Sequence, residues 1–197
     1  MFDQLLAHPG VEEELQLRSR FGFMAFHGGS LEEMTDVVAG EAAALAGASL
    51  YAVRQPADFQ WHIPSTMIDP AHSDALQAFL VHVDVVVAVH GFGRQDMWAT
   101  LLLGGSNREL ARTLASELTH RLPQYTVVDE IDAIPAPLRG LHPANPVNLP
   151  SGGGVQLELP PRVRGMGPYW KEWEGNGLKP HTEALIEGLV ATAQSVS

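Results

Sequence analysis

The chain has 197 residues, 45% of them hydrophobic, with 23 acidic residues against 12 basic ones and a formal net charge of -11. At this length a chain buries on the order of 70% of the surface it exposes when unfolded, so one self-sufficient core is expected. The acidic balance excludes a general nucleic-acid binder, which needs a basic face for the phosphates. The lack of cysteine excludes a disulfide framework, a thiolate zinc site and a cysteine nucleophile, and leaves His and carboxylates as the metal ligands available.

The opening Met1-Phe2-Asp3-Gln4 carries neither a basic nor an apolar leader pattern. The strongest apolar run, Val83 to Val89, is interrupted at Asp84 and is too short to span a bilayer. A soluble, cytoplasmic protein without a membrane partner is therefore expected. Phe21 to Phe26 reads as a buried strand that halts at His27-Gly28-Gly29. Glu32 to Ala46 follows at near-helical spacing, with Gly47 as its stop. Ser49 to Val53 is a second strand, Asp74 to Leu80 a helix, and the β-branched Val83 to Val89 a strand buried on both faces that ends at His90-Gly91. Met97 to Leu103 ends at Gly104-Gly105, and Asn107 then caps a helix running to about Arg121. Tyr125 to Val128 is a short strand. From Ile134 to Gly154, prolines and glycines forbid long regular structure and predict a winding connection of the kind that often carries function. Val155 to Leu159 is the last strand and Thr182 to Ser195 a closing helix. Alternating strands and helices with no linker and no repeat predict a single α/β domain over residues 1–197, with a mixed, mostly parallel sheet flanked by helices.

Two strands end in His-Gly, at His27 and His90, and in α/β sheets ligands gather outside the carboxyl ends of strands. Glu32 lies five residues after His27, across a glycine turn short enough to fold back. Two imidazoles and a carboxylate, with a fourth position open to water, form the ligand set of a catalytic zinc site. The competing reading is plain structure: His27 packed near a strand end, Glu32 a first-turn acid favoured by the helix dipole, His90 a core polar group. None of the glycine runs fits a dinucleotide or P-loop pattern. His62, among Trp61, Ser65 and Thr66, is a candidate pocket residue, whereas the histidines at 8, 72, 82, 120, 142 and 181 read as surface residues.

Six motifs occur in order: Met24-Ala25-Phe26-His27-Gly28-Gly29-Ser30-Leu31-Glu32 with Thr35, Trp61-His62-Ile63-Pro64-Ser65-Thr66, Val89-His90-Gly91, Leu103-Gly104-Gly105, Asn145-Pro146-Val147-Asn148, and Gly154-Val155-Gln156-Leu157-Glu158-Leu159. Together they cover most of the chain, and in this order and spacing the sequence resembles the poly-γ-glutamate hydrolase family, including its phage-derived members. That family is similar to the zinc carboxypeptidases in fold and site. The resemblance implies zinc ligands at His27, Glu32 and His90, a general base at Glu158, and a zinc-dependent amidohydrolase acting on a small peptide or amide, glutamate-containing ones included. Glu158 also ends a strand that can face the edge bearing the two histidines, although the alternation with Leu157 and Leu159 equally fits a solvent-facing residue. An N-acyl amino acid deacylase, a cell-wall peptide amidase, or a non-catalytic metal- or partner-binding domain on the same fold are the other readings.

A developing oxyanion favours an electropositive neighbour, and ten of the twelve basic residues are arginines. Arg94 is the preferred candidate for that role. Arg162 and Arg164, with Asn145, Asn148 and His62, are expected to bind substrate. Zinc carboxypeptidases and related enzymes carry an Asn-Arg pair for the substrate's terminal carboxylate, but here Asn148 is followed by Leu149. The net charge of -11 further predicts repulsion of a polyanion such as poly-γ-glutamate, unless arginines collect around the cleft.

Overall fold

The apolar run beginning at Phe21 forms strand β2 (Phe21–Gly29) near the middle of the sheet, and its side chains alternate between two cores. In the computed structural model, which describes residues 1–196, Phe23 and Ala25 enter one core while Met24 and Phe26 enter the other. Burial on both faces explains the run's unbroken hydrophobicity.

The other strands are β1 (Glu12–Gln16), β3 (Ser49–Gln55), β4 (Val85–Gly91), β5 (Thr100–Leu103), β6 (Thr126–Val128) and β7 (Gly154–Leu159). They make one seven-stranded sheet in the order β1-β3-β2-β4-β7-β5-β6. Strands β3, β2, β4 and β7 run parallel, and β1 and β5 join them antiparallel. The helices are α1 (Phe2–Leu6), α2 (Thr35–Ala46), α3 (Asp74–His82), α4 (Arg108–Arg121) and α5 (Pro180–Val196). One face is covered by α2, α4 and α5, through Val38, Ala42, Leu114, Leu118, Leu185 and Leu189. The other is covered by α1 and α3, through Phe2, Leu5, Leu76 and Phe79. The expected mixed sheet between helices is therefore the observed one. No helix among the described residues is long and apolar enough to cross a membrane.

Three differences from the sequence expectation matter. The helix expected from Glu32 starts at Thr35, because Met34 takes a left-handed conformation (φ 73°) and the Thr35 hydroxyl donates to the Glu32 carbonyl (2.8 Å). Glu32 is thereby left in the connecting turn, free to aim back toward β2. Strand β5 begins at Thr100 rather than Met97, because residues 92–99 form a loop. The sequence also gave no sign of α1 or β1. The β1 segment Glu-Glu-Glu-Leu-Gln is strongly acidic and pairs only because β3 offers an open edge, where Glu14 meets Arg54 and Glu13 accepts from the Tyr51 hydroxyl (2.6 Å).

Candidate metal centre and catalytic cleft

The predicted strand ends converge. Moving along β2, Ala25 pairs with Ala52 but Gly28 pairs with Arg54, so β2 carries one extra residue in a bulge around Phe26-His27. Bulges of this kind re-aim a side chain beside a site. The following turn is closed by Gly29, whose φ of 69° and whose approach to β3 admit only glycine: an added Cβ would lie 2.2 Å from the Gln55 carbonyl oxygen. The Gly29 N–H donates to Asp36 (3.1 Å), which Arg54 holds in turn (2.8 Å), and the Glu32 N–H donates back to the His27 carbonyl (2.8 Å). These bonds fold the turn so that Glu32 faces the strand it left.

The Glu32 carboxylate sits at the centre of the cluster. One oxygen lies 2.9 Å from His27 Nδ1; the other accepts from the Gly91 N–H (2.8 Å) and lies 3.6 Å from His90 Nδ1, an ion-pair distance rather than a hydrogen bond. His27 Nε2 lies 2.9 Å from the Ile63 carbonyl oxygen, which ties the ring to the loop carrying His62. The His27 ring centroid is 4.7 Å from that of His62 and 5.2 Å from that of His90. His90 Nε2 is buried with no hydrogen-bond partner among the described residues. Burial pushes the Glu32 carboxyl up, but the bond to His27, the nearby His90 imidazole and the charges of both rings outweigh that and hold it well below the usual range. For His90 burial pulls the imidazole down, yet the Glu32 carboxylate and the charges of Glu32 and Glu158 raise it overall.

Glu158 lies directly across from His90 in the β4–β7 register. It is 4% exposed, so the solvent-facing alternative for this residue does not hold. Burial raises its pKa, the Glu32 charge adds to that rise, and His90 and the Gln156 amide oppose it. A second polar chain stands behind it: Gln156 Nε2 donates to Glu158 (2.8 Å), and Asn145 Nδ2 donates to Gln156 Oε1 (2.7 Å). Because Asn145 can only donate from that nitrogen, it fixes which end of the Gln156 amide faces Glu158.

These groups line a cleft of about 480 Å³ at the carboxyl ends of the parallel strands. His27, Glu32, His62, His90, Asn145, Gln156 and Glu158 stand on its wall, together with Pro64, Ser65, Thr66, Phe92, the run from Ala136 to Leu138 and the run from Gly140 to His142. Such a crevice, at the point where successive connections leave β2 and β4 in opposite directions, is where open α/β sheets bind ligands.

A family model for poly-gamma-glutamate hydrolase matches residues 3–177. The chain belongs to that family. A comparison with proteins of curated function finds no match. Among solved structures, the chain resembles a bacteriophage poly-gamma-glutamate hydrolase at 21% identity, covering 95% of this chain and 89% of that one with a TM-score of 0.76. It resembles YNDL in its apo, zinc-free form at 20% identity, over 95% and 91% of the two chains, again with a TM-score of 0.76. A metallo-carboxypeptidase from Burkholderia cenocepacia shares the fold more distantly, at 8% identity over 98% of this chain and 68% of that one, with a TM-score of 0.54.

In this poly-gamma-glutamate hydrolase family member the residues expected from sequence divide into two groups. His27, Glu32, His62, His90, Asn145 and Glu158 reach the cleft; Arg94, Asn148, Arg162 and Arg164 do not line it. Arg94 is exposed, past the loop entrance at Phe92. The Asn148 amide donates to the Gly140 and His142 carbonyls (2.7 and 3.0 Å) and its oxygen accepts from Ser106, so its capacity is spent on shaping the loop. Arg162 lies over the rings of Tyr169 and Tyr125. Arg164 is buried behind Gly91, where an added Cβ would meet its Cζ at 2.8 Å, and donates to the Glu33 and Leu159 carbonyls. Asn145 reaches the wall, but its amide is committed to Gln156. Sequence reasoning missed Gln156 and His142. The first could have been found as the residue two positions before Glu158 on the same strand face; nothing separated His142 from the other histidines of the chain.

Proposed function

We propose that the cleft hydrolyses an amide bond using a divalent metal ion, zinc, held by His27, Glu32 and His90, with Glu158 as the general base. The observation that carries this reading is the convergence of donors: His27 Nδ1 lies 2.9 Å from one Glu32 oxygen and His90 Nδ1 lies 3.6 Å from the other. A cation among these nitrogen and carboxylate donors would be held by all three side chains at once. A second set is favoured by a different observation: the ligand atoms of His27, Glu32 and His62 all lie within 4.8 Å of one another. His27 and Glu32 belong to both sets, and exposed His62 stands at the open side, where it also faces an arriving substrate.

A bound ion would supply Lewis acidity, enough to lower the pKa of a nearby water toward neutral and to polarise a carbonyl. The chain's own residues do the rest. Glu158, buried and oriented by Gln156, takes the proton of the attacking water, and its raised pKa suits it to return that proton to the leaving nitrogen. The Gly91 N–H and the His27 ring hold the Glu32 carboxylate in place. His62, Ser65 and Thr66 also line the cleft and offer polar atoms to the substrate.

The test is metal content and hydrolysis together. Protein purified without added metal should carry about one equivalent of zinc per chain, and chelation should abolish amide hydrolysis. His90→Gln should lose metal while His62→Gln keeps it; the reverse result assigns the third ligand to His62. A chain that binds no metal and hydrolyses unaffected by chelator refutes the mechanism.

A further inference from the structure

The family's eponymous substrate is a chain of γ-linked glutamates, which bears one free carboxylate per residue, and this molecule has little with which to receive one. We infer that the cleft takes an amide whose flanking groups are uncharged, in preference to a run of free carboxylates. The inference rests on the amidohydrolase reading above and narrows its substrate.

Its basis is the placement of charge. Among the described residues that line the cleft there is no lysine or arginine, while Glu32 and Glu158 are both on its wall. A divalent ion in the cluster would balance those two carboxylates and leave no surplus for a substrate anion. Every arginine that the sequence offered for the task is engaged or placed elsewhere. Arg164 lies behind Gly91 and donates to backbone carbonyls, Arg162 lies over the Tyr169 and Tyr125 rings, and Arg94 is exposed outside the lining. Arg139, the nearest basic residue to the loop wall, turns away to the Ile134 and Asp132 carbonyls (2.8 and 3.3 Å).

The position that would carry a carboxylate anchor is equally neutral. Asn148 spends its amide on the loop backbone, and Leu149 beside it is exposed. Nothing there grips a chain terminus, so cleavage within a chain fits the cleft better than removal of a terminal residue. What the wall does offer is apolar surface from Phe92, Leu138 and Leu141 and uncharged polar surface from Ser65 and Thr66. The field of the whole molecule acts in the same direction, since a net charge of -11 repels a polyanion at long range.

The experiment compares two γ-linked glutamate tetrapeptides that differ only in charge, one with free carboxylates and one with those groups converted to carboxamides. Binding to the zinc-loaded protein is measured by calorimetry at about 20 and about 300 mM salt, where screening differs severalfold, and turnover is followed in parallel. The carboxamide peptide should bind at least about tenfold more tightly, as expected when like charges are brought together on the other. Added salt should strengthen binding of the anionic peptide by relieving repulsion. Leu141→Arg, which places a cation on the cleft wall, should improve binding of the anionic peptide severalfold. Equal or tighter binding of the anionic peptide, its weakening by salt, or no binding of either peptide overturns the inference. If the carboxamide peptide binds preferentially and neither is cleaved, the substrate preference stands and the hydrolase mechanism falls. Cleavage of both with preference for the anionic one has the opposite meaning.

Discussion

Replacing Gln156 by Leu tests whether the polar chain behind Glu158 is part of the machinery. The side chain is 5% exposed and sits between Asn145, 2% exposed, and Glu158, 4% exposed, so water cannot replace the bonds it makes. Leucine is of similar size but deletes both the 2.8 Å bond to Glu158 and the 2.7 Å bond from Asn145. Two buried groups lose a partner at about 1–3 kcal/mol each, with Glu158 toward the upper end because it bears charge. Against this, the leucine gains about 1.5–2 kcal/mol of apolar burial. A net loss of about 2–4 kcal/mol follows, read as a lower urea midpoint at unchanged slope. In a chain of this size that corresponds to a fall in melting temperature of roughly 4–16 °C. Turnover should fall about tenfold or more, because Glu158 loses its fixed direction. A variant as stable and as active as the parent would show that the chain from Asn145 to Glu158 neither stabilises the fold nor orients the base.

Glu158→Gln keeps the acceptor for Gln156 but removes the proton acceptor, so kcat should fall about 10²–10⁴-fold with metal content preserved; unchanged turnover removes Glu158 from the base role. Gly29→Ala places a side chain at φ 69° against the Gln55 carbonyl and should cost about 2–4 kcal/mol, measured by denaturant unfolding, and loosen metal binding by disturbing the turn to Glu32. In chelated protein, the raised pKa of His90 means that its stabilising interaction with Glu32 is fully present below about pH 6.5 and is lost as pH rises through the folded value. The urea midpoint should therefore fall as pH rises above about 6.5. His90→Gln should flatten that fall, whereas a parent midpoint that is flat or rising there contradicts the assignment. The depressed pKa of Glu32 acts at the other end: its contribution is present above about pH 4.3 and is lost only in stronger acid.

Much of this architecture was legible in the residues because it follows from local rules. The doubly buried β2 and β4 announce themselves as unbroken apolar runs, and Gly47 and Asn107 mark helix ends where the structure has them. The His-Gly strand ends also told where the cleft is, since carboxyl ends of parallel strands share one edge whatever the exact strand order. Glu14 and its neighbours gave no such signal, because an acidic segment becomes β1 only when an edge of β3 is there to pair with.

The sequence by itself therefore determined the type of fold, the edge that carries the site, and His27, Glu32, His90 and Glu158 as residues brought together there. Tertiary structure alone decided the direction of each side chain and hence the charge of the cleft. The bulge in β2 and the left-handed Met34 turn Glu32 back onto both histidines, a consequence of hydrogen bonds to Asp36 and Gly91 that lie far apart in the chain. Arg162 and Arg164 follow Glu158 closely in sequence, yet the fold sets Arg162 over aromatic rings and Arg164 against backbone carbonyls outside the cleft. Spacing along a chain sets which residues can reach an edge; competition among partners in three dimensions sets which of them face the substrate.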